Sequence, residues 1–312
     1  MGYSAASGWR VNLEYDFINQ DELRYGTRAV ALAQAAAIND AGGEQEVERQ
    51  TINRYVTLGI AYRPHADWGV NLLVPYVDRS HTTYGNAGVA DLTPDNVSNA
   101  DTDGLGDVKL IGSYQGFLPT HNLGVQFGVK LPTGRYGGQN VDTGATVGHD
   151  PVFFSTGPNA AGGAALDTSL QPGTGSTDVI LGAYYYQPIS QNFDAFANVQ
   201  FQAAVMQRLK QVGGDFRPGN QENLSFGVRY ERDPRWTPQL QVNVTHKSSD
   251  QGALADTLDT EGTVVYLSPG ITASVTRNLQ VYGFFQVPVY SNLGGYQLFP
   301  HGTVSAGLSF SF

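Results

Sequence analysis

The last twelve residues, HGTVSAGLSFSF, restrict most strongly what this chain can fold into. Val304, Ala306, Leu308, Phe310 and Phe312 alternate with Thr303, Ser305, Gly307, Ser309 and Ser311. A period of two sends alternate side chains to opposite faces of an extended strand, so this segment needs an apolar environment on one face and a polar one on the other. No helix satisfies that pattern.

The same signature recurs along the chain. Trp9, Val11, Leu13, Tyr15 and Phe17 alternate with Arg10, Asn12, Glu14 and Asp16, and a second strand over about 51–63 sets Val56, Leu58, Ile60 and Tyr62 against Tyr55, Thr57, Gly59 and Arg63. The chain returns as WGVNLLVPY, where Pro75 removes a ladder donor and predicts a bulge or local break. Four further hairpins follow, GLGDVKLIGSYQGF with NLGVQFGVKLPTG, GSTDVILGAYYYQP with NFDAFANVQFQAAV, NLSFGVRYER with PQLQVNVTHK, and TVVYLSPGITASV with LQVYGFFQVPVY. With the terminal strand the count is about 12, and short turns alternate with long loops at about 21–50, 80–103, 134–174, 207–220, 248–261 and 291–300. An Ala-rich piece, AVALAQAAAIND, gives the first of these loops the propensity for a short helix.

Composition becomes informative once that alternation is known. The mean hydropathy is −0.25, and no run approaches the roughly 18 apolar residues of a membrane helix. An alternating strand, however, averages out its own hydrophobicity. There are no cysteines, which removes thiolate metal sites and disulfides. A net charge of −10 without a basic stretch argues against nucleic acid as a partner. The start, MGYSAASGWR, lacks a charged segment followed by an apolar one, so an exported protein is expected to have had its signal peptide removed upstream of this sequence.

A membrane explains both faces of these strands. A charge on a lipid face costs about 2–4 kcal/mol near the midplane, and the outward Arg54, Asp78, Arg232 and His246 are expected at strand ends. Trp9, Trp68 and Trp236 each begin a strand beside the amino terminus or a short turn, as an interfacial girdle requires. The opposite face carries Gln, Asn, Lys, Arg, Asp and Glu in mid-strand, which suits a water-filled lumen and not the dry core of a soluble sandwich. Unpaired backbone groups in hydrocarbon cost several kcal/mol each, so the last strand must pair with the first. The expected fold class is all-β: residues 1–312 form a single closed antiparallel transmembrane β-barrel with short periplasmic turns and long extracellular loops. A terminal aromatic residue on the closing strand resembles bacterial outer-membrane barrels, and the implied location is the outer membrane.

The inward register names the residues that would line the interior. They are Arg10, Glu14 and Asp16 on the first strand, then Asp107, Lys109 and Lys130, then Asp178, Asp194, Arg229, Glu231 and Lys247. These charges either pair across the interior or form a selectivity-setting constriction. Tyr184, Tyr266, Tyr282 and Phe284 also point inward, where they offer apolar surface to a ring-shaped solute or simply fill a narrow lumen. The loop 134–174 is the candidate constriction, with Phe153 and Phe154 as an apolar plug, or else a mobile exterior loop.

GLGDVKLIGSY followed by VKLPTG, GTGSTDVILGAYY, LSPGIT, VYGFFQVPVY and DWGVNLLVPYVDRS together resemble an outer-membrane family labelled as transporters of the MetA (meta) pathway of phenol degradation. The resemblance implies an outer-membrane channel for passive or facilitated passage of small solutes, in an aromatic-compound context. The expected partners are membrane lipid and a small-molecule solute, with a monomer slightly favoured, no cofactor and no enzymatic role. Two other functions compete with this reading. His246 and Ser248, two residues apart in HKSSD, are similar to the His and Ser of outer-membrane lipid hydrolases, although Ser249 stands where those enzymes carry Asn. A structural or adhesive surface barrel would instead work through its acidic loops. Gly104-Leu105-Gly106 lacks a third glycine and a following helix, and the six His residues show no metal-ligand spacing on one strand, so no metal is expected.

Overall fold

A computed structural model describes residues 7–43, 45–85, 91–233 and 235–312. Residues 1–6, with most of MGYSAASGWR, lie outside the described residues, as do Glu44 and 86–90 of the first two expected loops and Pro234 of the DPRWT turn.

In chain order the elements begin with β1 (Gly8–Gly26), β2 (Arg28–Ala29), α1 (Leu32–Asp40), β3 (Val47–His65), β4 (Trp68–Tyr84) and β5 (Val97–Leu105). Next come β6 (Val108–Tyr114), β7 (Leu123–Leu131), the short β8 (Tyr136–Gln139) and β9 (Thr146–His149), and α2 (Gly157–Ala161). The rest is strand: β10 (Ser176–Pro188), β11 (Phe193–Gln207), β12 (Gln221–Tyr230), β13 (Trp236–Lys247), β14 (Gly262–Ser274) and β15 (Leu279–Ser311).

The sheet runs β15-β14-β13-β12-β11-β10-β7-β6-β4-β3-β1 and closes by pairing β15 with β1. Closure is tight: Phe310 faces Val11, Leu308 faces Leu13 and Ser305 faces Asp16, while Trp9 and Phe312 exchange backbone hydrogen bonds of 2.9 and 3.0 Å. These eleven elements make twelve staves, because β15 doubles back on itself. Its first part, 280–293, pairs with β14 and its second, 293–311, with β1. The fold-back brings the Gln286 and Ser305 carbonyl oxygens to the positions of Gly302 and Gly283.

Along each stave the alternation sorts as the lipid and lumen require. Leu13, Leu58, Leu110, Leu181, Phe226, Leu240 and Leu308 are exposed on the outer face, where hydrocarbon replaces a protein core. Trp9, Trp68 and Trp236 all stand at the end that carries both termini and the short turns; Trp9 packs on Tyr62 at 4.5 Å and Trp68 on Tyr114 at 4.7 Å between ring centroids. On the inner face, large rings lie over glycines of the neighbouring strand: Tyr184 over Gly124, Phe196 over Gly227, Phe284 over Gly270 and Tyr282 over Gly307. A Cβ at any of these glycines would meet the ring, so the missing side chain is what lets each aromatic lie flat against the wall.

Several expected boundaries are corrected. The first strand continues to Gly26, the second spans Val47–His65 and the third reaches Tyr84, so only the middle of 21–50 is loop, and it contains the helix α1. Within 80–103, residues 80–84 and 97–103 are strand, β4 against β5 from Tyr76–Leu105 to Tyr84–Val97. Residues 291–300 are strand throughout, turning tightly where Gly295 adopts φ +62. In consequence Arg54 and Asp78 lie in mid-strand, not at strand ends, and form an outer-face ion pair of 3.4 Å. They sit above the apolar band. A stave of 19 residues is about twice the 9–11 that a tilted crossing needs, so these strands extend well past the membrane. At Pro75 the ladder does break: β4 leaves β6 after Leu73 and takes β5 from Tyr76 onward, with Gly106 donating to the Pro75 carbonyl at 2.8 Å.

The loop end has cores of its own. Ala35 and Ala36 of α1 pack on Leu23, Val47 and Leu298. Val152 and Leu166 pack on Ala100 of β5, with Phe154 and Leu170 beside them. Tyr136, Leu209 and Phe216 form a third cluster with Val147 and Leu254. Loops 134–174, 207–220 and 248–261 are thereby bound together across the mouth.

Candidate functional site

Two cavities lined by polar and aromatic side chains lie within the ring. One, of about 640 Å³, lies toward the end with the short turns and is lined by Arg10, Arg63, Gln126, Tyr184, Tyr186 and Asn198 among others. The other, of about 480 Å³, is lined by Glu14, Asp16, Tyr266, Tyr282, Phe284 and Gln286 with further polar groups. Period-two geometry makes this arrangement: Arg10, Asn12, Glu14 and Asp16 are successive inward positions of β1, so the cation faces one cavity and the two acids face the other.

The expected interior charges gather into separate groups. Lys130 Nζ lies 3.0 Å from Asp107 and 3.2 Å from Asp178, all three nearly inaccessible to solvent. Gln202 bridges this group to Lys109, accepting from Lys109 Nζ at 3.0 Å and donating to Asp178 at 2.6 Å. Two lysines and two aspartates therefore neutralise one another. Asp107 also accepts from the backbone of Gly134 and Thr174, so the network ties both ends of loop 134–174 to the wall. Arg229 holds Asp194 at 3.0 Å and Glu231 at 3.3 Å, and its guanidinium lies 5.6 Å from the Tyr186 ring. Lys247 pairs at 2.9 Å with Asp250, just beyond the end of β13.

Among the described residues Glu14, Asp16 and Arg10 form no ion pair. Glu14 accepts from the Tyr282 hydroxyl at 2.6 Å and Asp16 from the Ser305 hydroxyl. Arg10 meets the Ser311 hydroxyl at 3.3 Å. Tyr184 donates to Gln115 at 2.7 Å, while Tyr266 and Phe284 line the second cavity beside Tyr282.

Loop 134–174 reaches inward along one wall. Arg79, inward on β4 and buried, donates to the Leu170 carbonyl and to Asn53, and to the Tyr55 hydroxyl at 2.6 Å. Phe154 stands edge-on to the buried His81 ring, 6.2 Å between centroids, and Phe153 bridges Ala165 through its backbone. Sequence reasoning passed over His81 and over Arg79 as a clamp. In DRSHTTY both faces are polar because this part of β4 stands above the lipid, so no apolar row marks the register.

Around His81 a group of carboxyls forms outside the membrane-spanning part. Glu46 and Glu48 lie 3.7 and 4.0 Å from its ring nitrogens. Burial, reinforced by the charge of Glu46, pushes Glu48 up to about 8. Burial together with Glu46 and Glu48 pushes Asp167 up to about 8. Burial acts on Glu46 too, but the hydrogen bond and charge of His81 outweigh it and hold that carboxyl below its ordinary range.

These features can be set beside known proteins. The model of the family described as "Putative MetA-pathway of phenol degradation" matches residues 34–296. The chain belongs to that family. Among solved structures this family member is similar to an outer-membrane channel from Pseudomonas putida F1, at 12% identity and TM-score 0.65, covering 98% of this chain and 96% of that one. It is also similar to the β domain of a Bordetella autotransporter, at 11% identity and TM-score 0.51, with 98% and 100% covered. A third likeness is the translocator domain of an autotransporter from Neisseria meningitidis, at 12% identity and TM-score 0.50, with 98% and 89% covered. No curated protein matches the chain in sequence. The likenesses identify the fold as that of outer-membrane β-barrels.

In this family member His246 and Ser248 are engaged separately. His246 Nδ1 shares a 2.8 Å hydrogen bond with the Thr263 hydroxyl, and Ser248, beyond the end of β13, accepts from the Asn220 backbone at 2.9 Å. Ser249 donates to Glu261 at 3.1 Å.

Proposed function

We propose that the barrel passes small solutes across the outer membrane through its lumen. The observation that carries this reading is the pair of cavities, about 640 and 480 Å³, enclosed by a closed ring and lined by charged, amide and phenolic side chains. Small barrels that serve only as scaffolds fill the interior with packed side chains. The fold shared with an outer-membrane channel supports the same reading. The solutes are small, and ring-bearing or otherwise apolar bodies suit the aromatic surface of Tyr184, Tyr266, Tyr282 and Phe284. The family's phenol-degradation label agrees with such solutes.

The paired charges of the Lys130 and Arg229 groups hold the wall in shape, whereas Glu14 and Asp16 face permeating solute. Phe153, Phe154 and the inner limb of loop 134–174 form the constriction. No reaction chemistry is assigned to His246 or Ser248. Flux into proteoliposomes tests the reading: sugars of rising size and small aromatic acids should enter faster than into protein-free vesicles, with a sharp size limit. Folded protein that leaves every solute excluded would overturn it and favour a surface barrel that works through its loops.

A further inference from the structure

At the short-turn end two arginines face the same cavity, and no Asp or Glu side chain among the described residues lines it. Arg10 pairs with Ala61 and Gly8 with Arg63 across β1 and β3, so Arg10 and Arg63 are diagonal neighbours on the inner face. Arg10 meets the Ser311 hydroxyl, and Arg63 donates to the Ala66 carbonyl at 2.9 Å. Among the described residues the arginine ion pairs belong to Arg24, Arg54, Arg135, Arg229 and Arg235. The nearby acids are otherwise engaged: Asp194 and Glu231 by Arg229, Asp67 by His121 at 2.9 Å. Two like charges side by side in a half-enclosed site repel one another, and an anion set between them relieves that repulsion. Paired guanidinium forks also match the geometry of an oxyanion.

The same cavity also has an aromatic corner. Tyr184 fills the recess left by Gly124, is pinned through its hydroxyl to Gln115, and lines the cavity. Arg63 stands beside that hydroxyl. Tyr186 meets Tyr184 edge-on at 6.1 Å between centroids. A flat face, a perpendicular edge and an adjacent pair of cations together describe a planar ring with an anionic substituent.

We propose that this cavity binds a small aromatic carboxylate or similar ring-bearing oxyanion, its charge on Arg10 and Arg63 and its ring against Tyr184 and Tyr186. The inference deepens the channel reading by naming a solute class, and rests on it only for the idea that the solute moves through. Binding itself needs no conduction, so it is measured in detergent on protein whose gel migration remains heat-modifiable.

Benzoate is titrated against the intrinsic fluorescence of the protein, to which Trp9 at the cavity rim contributes. The expected result is saturable binding that weakens with salt, at least tenfold loss in the R10Q/R63Q double variant, a smaller loss in R10K/R63K, which keeps the charge but not the fork, and much weaker binding of both acetate and benzyl alcohol. Should the double variant fail to fold, Y184A serves in its place and should lower benzoate affinity while leaving the weak acetate binding unchanged. The absence of saturable benzoate binding, or equal binding to wild type and R10Q/R63Q, would overturn the proposal. Flux assays that fail while binding persists would instead overturn the channel reading alone.

Discussion

Lys130 shows how much a single interior residue can hold. It is 4% exposed and neutralises Asp107 and Asp178, so replacing it with methionine strands two buried carboxylates. Breaking a buried pair from one side costs about 3–5 kcal/mol. Lys130→Met should therefore lower the temperature at which the folded band converts to the unfolded one on gels, whereas Lys109→Met, which removes one link to Gln202, should lower it less. Glu14 and Asp16 form no ion pair among the described residues, and Glu14→Gln with Asp16→Asn should shift the reversal potential in a salt gradient toward anion preference. Inward placement of such residues was legible from parity alone, because a one-residue slip would put every charge into lipid. Which charges pair was not legible. Lys130 meets Asp178 only because β7 and β10 are adjacent although 44 residues separate their facing ends, Leu131 and Ser176, and nothing local in the sequence announces that neighbour.

Among the elements, loop 134–174 is where sequence and structure part most. Its Gly- and Ala-rich stretch has no periodicity, yet it folds on Val152, Leu166 and Leu170 and reaches Arg79 inside the mouth. The contacts holding it are tertiary, so no pattern within 134–174 predicts them. The same holds for the strands above the lipid, where the outer face need not be apolar and the period of two fades. Inside the lipid band, where both faces are constrained, strand register matched the structure closely, including the break at Pro75.

This loop's attachment should also depend on pH. Asp167 keeps its proton up to about 8 in the assembled mouth, whereas in a released loop it would titrate near the ordinary value of about 4. Its contribution is thus complete below about 4 and is lost as pH rises through about 8. Hydrogen exchange across 134–174, corrected for intrinsic rates, should show protection falling from pH 6 to pH 9. Asp167→Asn should flatten that dependence, and an equally steep dependence in the variant would refute this account of the loop.

For the whole molecule, the terminal strand was enough to suggest closure, and the seam bears it out: Val304 faces Phe17 and Leu308 faces Leu13, while Ser305 and Ser309 meet Asp16 and Asn12 on the inner face. A cysteine pair at Asn12 and Ser309, inward and directly opposed, should cross-link under oxidation without loss of the folded band. The membrane-spanning ring was readable because lipid imposes one rule on every stave. The lumen's partial filling was not, since it depends on how three distant loops meet.

Single-channel recording in a planar bilayer, with intact protein beside a form lacking residues 140–165, tests the central claim most directly. A polar lumen narrowed by an inward loop limb predicts small, discrete conductance steps for the intact protein and clearly larger ones after the deletion. Heat-modifiable, correctly folded protein that conducts in neither form would contradict it.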